Sequence, residues 1–254
     1  MIKKIIVTGS SDSTGMEMVD HLLENPSSED RRMSIWKWYK KNYKVPQGIS
    51  VSDLYLQSDN EFTKLERKHS WPALLESETG IQVINLSNIG YSIGASLIEF
   101  SNYCDHNLTE AVAIHQLPPH GRFYLRFDNE RINVCPSDNI NDPGFLQNHG
   151  FNKKYFRNDI KKLESKYKYI IKKDVKTNYI TKHYDRCLER IQKIANAHKI
   201  KNFYITRKDQ NLPNVLINDF EKFKEAYKKG RGGHPIDPRF NEDVVKTIRS
   251  KLGI

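Results

Sequence analysis

Cysteine is scarce in this sequence. The three present, Cys104, Cys135 and Cys187, lie too far apart for a zinc knuckle or a redox pair. An odd number at such spacings argues against a disulfide framework and for a reducing, cytoplasmic setting. Long apolar runs are missing as well. The first, Ile5-Ile6-Val7 behind Lys3-Lys4, stops at Thr8-Gly9. That is too short for a signal-peptide core or a membrane span, so no membrane association is expected. Two phosphate-binding signatures are also absent. A Gly-x-Gly-x-x-Gly fingerprint would need glycine where Ser11 and Thr14 stand, and a Gly-x-x-x-x-Gly-Lys loop fails for want of the second glycine and the lysine. No cofactor and no metal are therefore expected. Acidic residues are in deficit, 31 against 41 lysines and arginines, which leaves a formal charge of +10.

What is present belongs to a folded α/β protein. Of the 254 residues, 37% are hydrophobic and 28% charged, and the length suits one domain. Residues 2–8 form a β-branched run ending in Gly9-Ser10-Ser11-Asp12-Ser13-Thr14-Gly15, the pattern of a buried parallel strand feeding a small-residue turn. Residues 16–23 are expected to be helical. A polar stretch over about 25–68, with Trp36, Trp38, Tyr39 and Tyr43, is expected to be an insertion or lid.

Regular text resumes at Ser70. Trp71-Pro72-Ala73-Leu74-Leu75 opens a helix closed by Gly80, and Gln82-Val83-Ile84-Asn85-Leu86 forms a strand. A helix over about 92–103 and a strand over 110–117 follow. A second insertion is expected over about 121–178, with strand at 123–127, turn-rich text at 136–144 and basic helical text after Asn152. Helical spacing over 179–197 leads into a strand over 201–206, and a closing helix runs from about 241 to 252. Alternating strands and helices imply a three-layer α/β/α arrangement around a mostly parallel sheet, with ligands at the carboxyl ends of its strands.

Several segments together resemble the SGNH (GDSL-like) hydrolases, especially divergent phage- and bacterium-borne members. Gly9-Ser10-Ser11 after the first strand, with Gly15 four residues beyond the serine, resembles the block that presents the nucleophile. Trp71-Pro72-Ala73-Leu74-Leu75, Asn85-Leu86-Ser87-Asn88-Ile89-Gly90 and Gly233-His234-Pro235 are similar to later family segments in the same order. The resemblance implies a flavodoxin-like SGNH fold and a serine esterase or acyl hydrolase. Ser11 would be the nucleophile and His234 the base, and the backbone N–H groups of Ser11 and Gly90 would line an oxyanion hole. A serine hydroxyl needs such a base to become nucleophilic at neutral pH, and the developing oxyanion needs fixed donors.

Two family positions differ. The asparagine expected after the third strand is absent from His115-Gln116-Leu117-Pro118-Pro119, where Gln116 is the replacement donor. The acid three residues before the histidine is Arg231. Asp237 or a backbone carbonyl would then orient the imidazole, or the site is a dyad or has lost catalysis. His115 and His120 are expected to be structural rather than metal ligands.

Charge supplies the competing class. Lys153, Lys154, Arg157, Lys161, Lys162, Lys166, Lys168, Lys172, Lys173 and Lys176 surround Tyr155, Tyr167 and Tyr169. Such a segment is either a solvated lysine-rich insertion or a surface for nucleic acid or another polyanion on a non-catalytic scaffold. The favoured partner is a small-molecule or carbohydrate acyl ester.

Overall fold

The computed structural model describes residues 1–23, 31–43, 61–88, 90–104, 108–127, 130–134, 157–208, 210–230 and 233–254. The expected turn-rich segment at 136–144, Lys153, Lys154 and Cys135 lie outside the described residues, as does much of the stretch between 25 and 60.

In chain order the elements are β1 (Lys4–Thr8), α1 (Ser11–Thr14), a single 3₁₀ turn (Asp20–Leu22), α2 (Arg31–Asn42), α3 (Glu61–Lys68), α4 (Trp71–Thr79) and β2 (Gln82–Asn85). There follow α5 (Ile93–Tyr103), β3 (Ala111–Gln116), β4 (Phe123–Phe127), β5 (Glu130–Val134), α6 (Arg157–Thr177) and α7 (Tyr179–Ala197). The chain closes with β6 (Lys201–Ile205), β7 (Val215–Ile217), α8 (Phe220–Lys224) and α9 (Pro238–Leu252).

Five strands form one sheet in the order β2-β1-β3-β6-β7, and every pairing in it is parallel. Counted by their rank in the sheet, this is the doubly wound order 2-1-3-4-5, whose direction of winding reverses between β1 and β3. The continuous apolar text of β1 and β3 follows from burial on both faces. Ile5, Val7, Val112 and Ile114 face a core with Trp71, Leu75, Phe220, Phe240, Val244 and Ile248, contributed by α4, α8 and α9. Ile6, Ala111 and Ala113 face the opposite core with α5 and α7, through Ile93, Phe100, Tyr184 and Ile191. The antiparallel β4–β5 hairpin packs separately against α6 through Phe123, Leu125, Leu163 and Tyr167.

Helix ends follow local chemistry. Ser92 accepts the Ala95 N–H at the start of α5, and Asp237 accepts that of Arg239 at the start of α9, where Pro238 occupies the first turn. One expected element is absent: residues 16–23 form turns around the 3₁₀ piece instead of a helix. The cause is local, because Gly15 (φ 75°) and Glu17 (φ 69°) are both left-handed, and a right-handed helix cannot pass through them. The short helix lies earlier, at α1. The strand β7 and the helix α8 are additions to the expected order, and α9 begins three residues before the expected start. Described parts of the stretch 25–68 include α2 and α3, whose Ile35 and Phe62 bury against Val19 and Leu23.

His115 lies within the sheet. Its Nδ1 accepts from the Thr8 hydroxyl at 2.8 Å on the neighbouring strand, and its Nε2 donates to Asn202 Oδ1 at 3.1 Å on the other side. Burial pushes its ionisation down to about 4, against a smaller upward effect of the Asn202 hydrogen bond. The unfolded chain therefore binds the extra proton between about pH 6.5 and about pH 4, and stability falls as pH drops through that window. Urea titrations should show a loss on the order of 3 kcal/mol between pH 7 and pH 4. His115→Gln should flatten that dependence; an unchanged slope would mean that another group carries it.

Candidate active site

The reversal point between β1 and β3 is where most of the candidate side chains gather. Beyond Thr8 the chain passes Gly9, where an added Cβ would stand 2.7 Å from Ser13 Oγ and 2.9 Å from Gln116 Cβ. Only glycine allows β1 and β3 to deliver their ends so closely. Ser11 begins α1, and its carbonyl accepts from Thr14 Oγ1 at 2.7 Å while Gly15 closes the turn in the left-handed region. From β2, Asn85 Nδ2 donates to the Ser13 carbonyl at 2.7 Å, and its Oδ1 accepts the Ser87 N–H at 3.1 Å. The Asn88 N–H donates to the Gly9 carbonyl at 3.4 Å, which ties the loop that contains Gly90 to the β1 turn.

Asp12 is the centre of this cluster. Its carboxylate is buried and accepts from His234 Nδ1 at 3.0 Å, Gln116 Nε2 at 3.2 Å and Lys224 Nζ at 3.3 Å. The Gln116 amide oxygen in turn accepts the Ser13 hydroxyl. Burial alone would raise the Asp12 ionisation, but the His234 hydrogen bond and the Lys224 charge outweigh it, and the carboxyl titrates at about 2. Asp12 is thus an anion at neutral pH.

A turn fixed at several points presents His234. The Gly230 N–H donates to the His234 carbonyl at 2.7 Å, the Ile236 N–H to the Lys228 carbonyl at 2.9 Å, and Gly233 takes a φ of 82°. The His234 N–H donates to Glu17 Oε2 at 3.3 Å, and the Glu17 N–H donates to Glu66 Oε1 at 2.9 Å. A Cβ on Gly230 would come within 2.6 Å of that same Glu17 oxygen. The backbone and the ring of His234 are therefore both anchored to the segment that follows β1.

The candidates named from sequence fall into two groups. Ser11, Gln116 and His234 surround Asp12 or adjoin it in the chain, and Gly90 sits in the loop beside Gly9. Among the described residues the Ser11 hydroxyl has no hydrogen-bond partner, so it is not bonded to His234, and His234 Nε2 has none either. Gln116 spends one amide hydrogen on Asp12. Asp237 lies apart from the imidazole: its carboxylate caps α9 and pairs with Arg239 at 2.6 Å. The carboxylate at His234 is Asp12.

Asp12 and Lys224 went unnoticed in the sequence. For Lys224 a signal exists, because Phe220, Phe223, Lys224 and Tyr227 share helical spacing i, i+3, i+4, i+7, which puts a lysine on the core side of α8. His120 stacks on Tyr184 with centroids 3.9 Å apart. Among the described residues no three His, Cys, Asp or Glu side chains are grouped as metal ligands, and no helix is long and apolar enough to cross a membrane.

Gly9→Ala should cost about 1–3 kcal/mol through overpacking, since both close neighbours lie on elements fixed by the sheet. Urea denaturation measures the cost, and a neutral result would mean that β1 and β3 separate more easily than their pairing implies. Neither a protein-family model nor a curated protein matches the chain.

Proposed function

We propose that this protein is a serine hydrolase acting on an ester or acyl group, with Ser11 as nucleophile, His234 as general base and Asp12 as the carboxylate that orients the base. The observation that carries this reading is the 3.0 Å contact between His234 Nδ1 and Asp12, across 222 positions of sequence, beside Ser11 at the reversal point of the sheet. A carboxylate on Nδ1 selects the tautomer whose Nε2 lone pair is open to accept a proton. The parallel 2-1-3-4-5 strand order also agrees with the flavodoxin-like SGNH fold that the sequence motifs resemble.

In this mechanism Nε2 of His234 takes the Ser11 hydroxyl proton as Oγ attacks the acyl carbonyl carbon. The oxygen becomes an oxyanion facing the N–H groups of Ser11 and Gly90, which carry no other hydrogen bond among the described residues. Gln116 contributes through its remaining amide hydrogen. The tetrahedral intermediate collapses, the imidazolium gives its proton to the departing alcohol, and an acyl-serine remains. Water, deprotonated by the same imidazole, releases the acid and restores Ser11. Because apo geometry is commonly looser than that of the reacting complex, the missing Ser11–His234 hydrogen bond is compatible with this sequence of steps.

A serine-directed fluorophosphonate and a panel of short acyl esters and acetylated sugars test the reading. Ser11→Ala and His234→Ala should each lower hydrolysis by on the order of 10³-fold or more, with the double variant little worse than either. Activity should rise with pH as the imidazole loses its proton, and Ser10→Ala should keep most of it. A folded protein that is neither labelled nor active on the panel would favour the second reading.

That second reading is a non-catalytic binding protein for a polyanion such as nucleic acid, supported by the exposed lysines of α6. Lys161, Lys162, Lys166, Lys172 and Lys176 are all solvent-facing, around an exposed Tyr169. If the site is catalytic, this face is accessory to it. Changing Lys161, Lys162 and Lys166 to Glu should then leave small-ester turnover within about tenfold, roughly 1.4 kcal/mol of transition-state stabilisation. A larger loss in a folded variant would put α6 in the reaction.

A further inference from the structure

Lys224 is the least expected residue in this cluster. It ends a five-residue helix, its side chain is 3% exposed, and its ammonium lies 3.3 and 3.5 Å from the two Asp12 oxygens. Glu221 Oε1, one helical turn back, is 3.1 Å from the same nitrogen, and the Phe220 ring centroid is 5.6 Å away. Taking an ammonium and a carboxylate out of water costs several kcal/mol each, and a well-packed apolar pair in their place is often no less stable. The pair is therefore a costly way to hold α8 against the β1 turn. What an apolar pair could not supply is a fixed charge next to His234.

We propose that Lys224 is a positioning residue of the site, holding Asp12 ionised and aimed while keeping the neighbouring imidazole neutral, so that His234 is a competent base at rest. The proposal rests on the hydrolase reading and extends it to a residue that touches neither the substrate nor Ser11. The charge balance supports it. A buried carboxylate facing only an imidazole is satisfied by protonating it, and an imidazolium cannot accept the Ser11 proton. With Lys224 present, Asp12 already has its counter-ion, and a second cation on His234 would face the ammonium. Asp12 keeps its negative charge for the moment when His234 becomes cationic during the reaction.

The charged groups around this arrangement come from several elements. Asp12 belongs to α1, Glu17 to the turn that follows and Glu66 to α3, while Lys224 and Glu221 belong to α8. Glu17 meets the His234 backbone N–H rather than its ring, and Glu66 meets the Glu17 N–H. Glu221 is shared with Arg207, whose Nε lies 2.8 Å from it, so its charge is divided between two cations. Lys224 is thus the cation set directly on the Asp12 carboxylate, and its removal should be felt at His234.

The test follows the ring of His234 by ¹⁵N and ¹H NMR through a pH titration, using His234→Ala to assign its signals. In the wild-type protein the ring should be neutral at pH 7 with its proton on Nδ1. Lys224→Gln keeps a donor for Asp12 and removes the charge. It should raise the His234 ionisation by about one to three pH units, move the acid limb of the pH–kcat profile up with it, and change KM little. Lys224→Arg, which keeps the charge, should restore the wild-type titration.

A His234 ring that is already imidazolium in wild-type protein at pH 7 would overturn the proposal, and that measurement needs no variant to fold. So would a folded Lys224→Gln protein whose His234 titrates as in the wild type. Failure of the hydrolase reading has its own signature, the absence of fluorophosphonate labelling at Ser11, which leaves the NMR result to be read separately.

Discussion

Asp12 is a carboxylate removed from water, and an anion in that position must be compensated by groups fixed in place. The compensation comes from three directions: an amide at the end of β3, an ammonium at the end of α8 and an imidazole on the loop before α9. None of the three is near Asp12 in sequence. The anion therefore holds the β1 turn, the third strand and two C-terminal elements together, and the geometry of its surroundings follows from that demand. Gly9 is required because β3 must come close enough for Gln116 to reach. Glu17 takes a left-handed backbone, and its carboxylate accepts the backbone N–H of His234 on the neighbouring turn. A core formed from the apolar faces of α4, α8 and α9 supports this arrangement, but apolar contacts are non-directional. The hydrogen bonds around Asp12 are what give that end of the sheet one arrangement.

The opening strand and β3 were readable in the sequence because strands buried on both faces carry continuous apolar text, and β6 because a short aromatic and β-branched stretch follows a clear amphipathic helix. The helix α7 was readable because Tyr184, Cys187 and Ile191 recur at helical spacing. Val215, Leu216 and Ile217 make too short a run to announce β7, and the left-handed backbone at Gly15 and Glu17 defeated the helix expected over residues 16–23. At the site, short motifs resembling those of a known family were what drew attention to Ser11, Gly90 and His234. Local text could not single out Asp12, because its partners lie 104 to 222 positions away and no spacing rule reaches that far. Asp237 illustrates the opposite error. Three residues from His234, it was one candidate for orienting the imidazole beside a backbone carbonyl, yet at the mouth of a helix beginning with proline its carboxylate is drawn to the free N–H groups there and to Arg239.

The Asp12–His234 contact also has a consequence for how the molecule comes into being. Loops that long close late, since chain entropy opposes the contact until intervening structure has shortened the path. During synthesis the β1 turn leaves the ribosome first and must wait, with Asp12 in water and its ammonium and imidazole partners still untranslated. The cluster therefore cannot form on the nascent chain until its C-terminal partners are made. The cluster is completed only with the C-terminal region, and a chain interrupted before residue 224 would carry Asp12 and Gln116 without the ammonium and the imidazole.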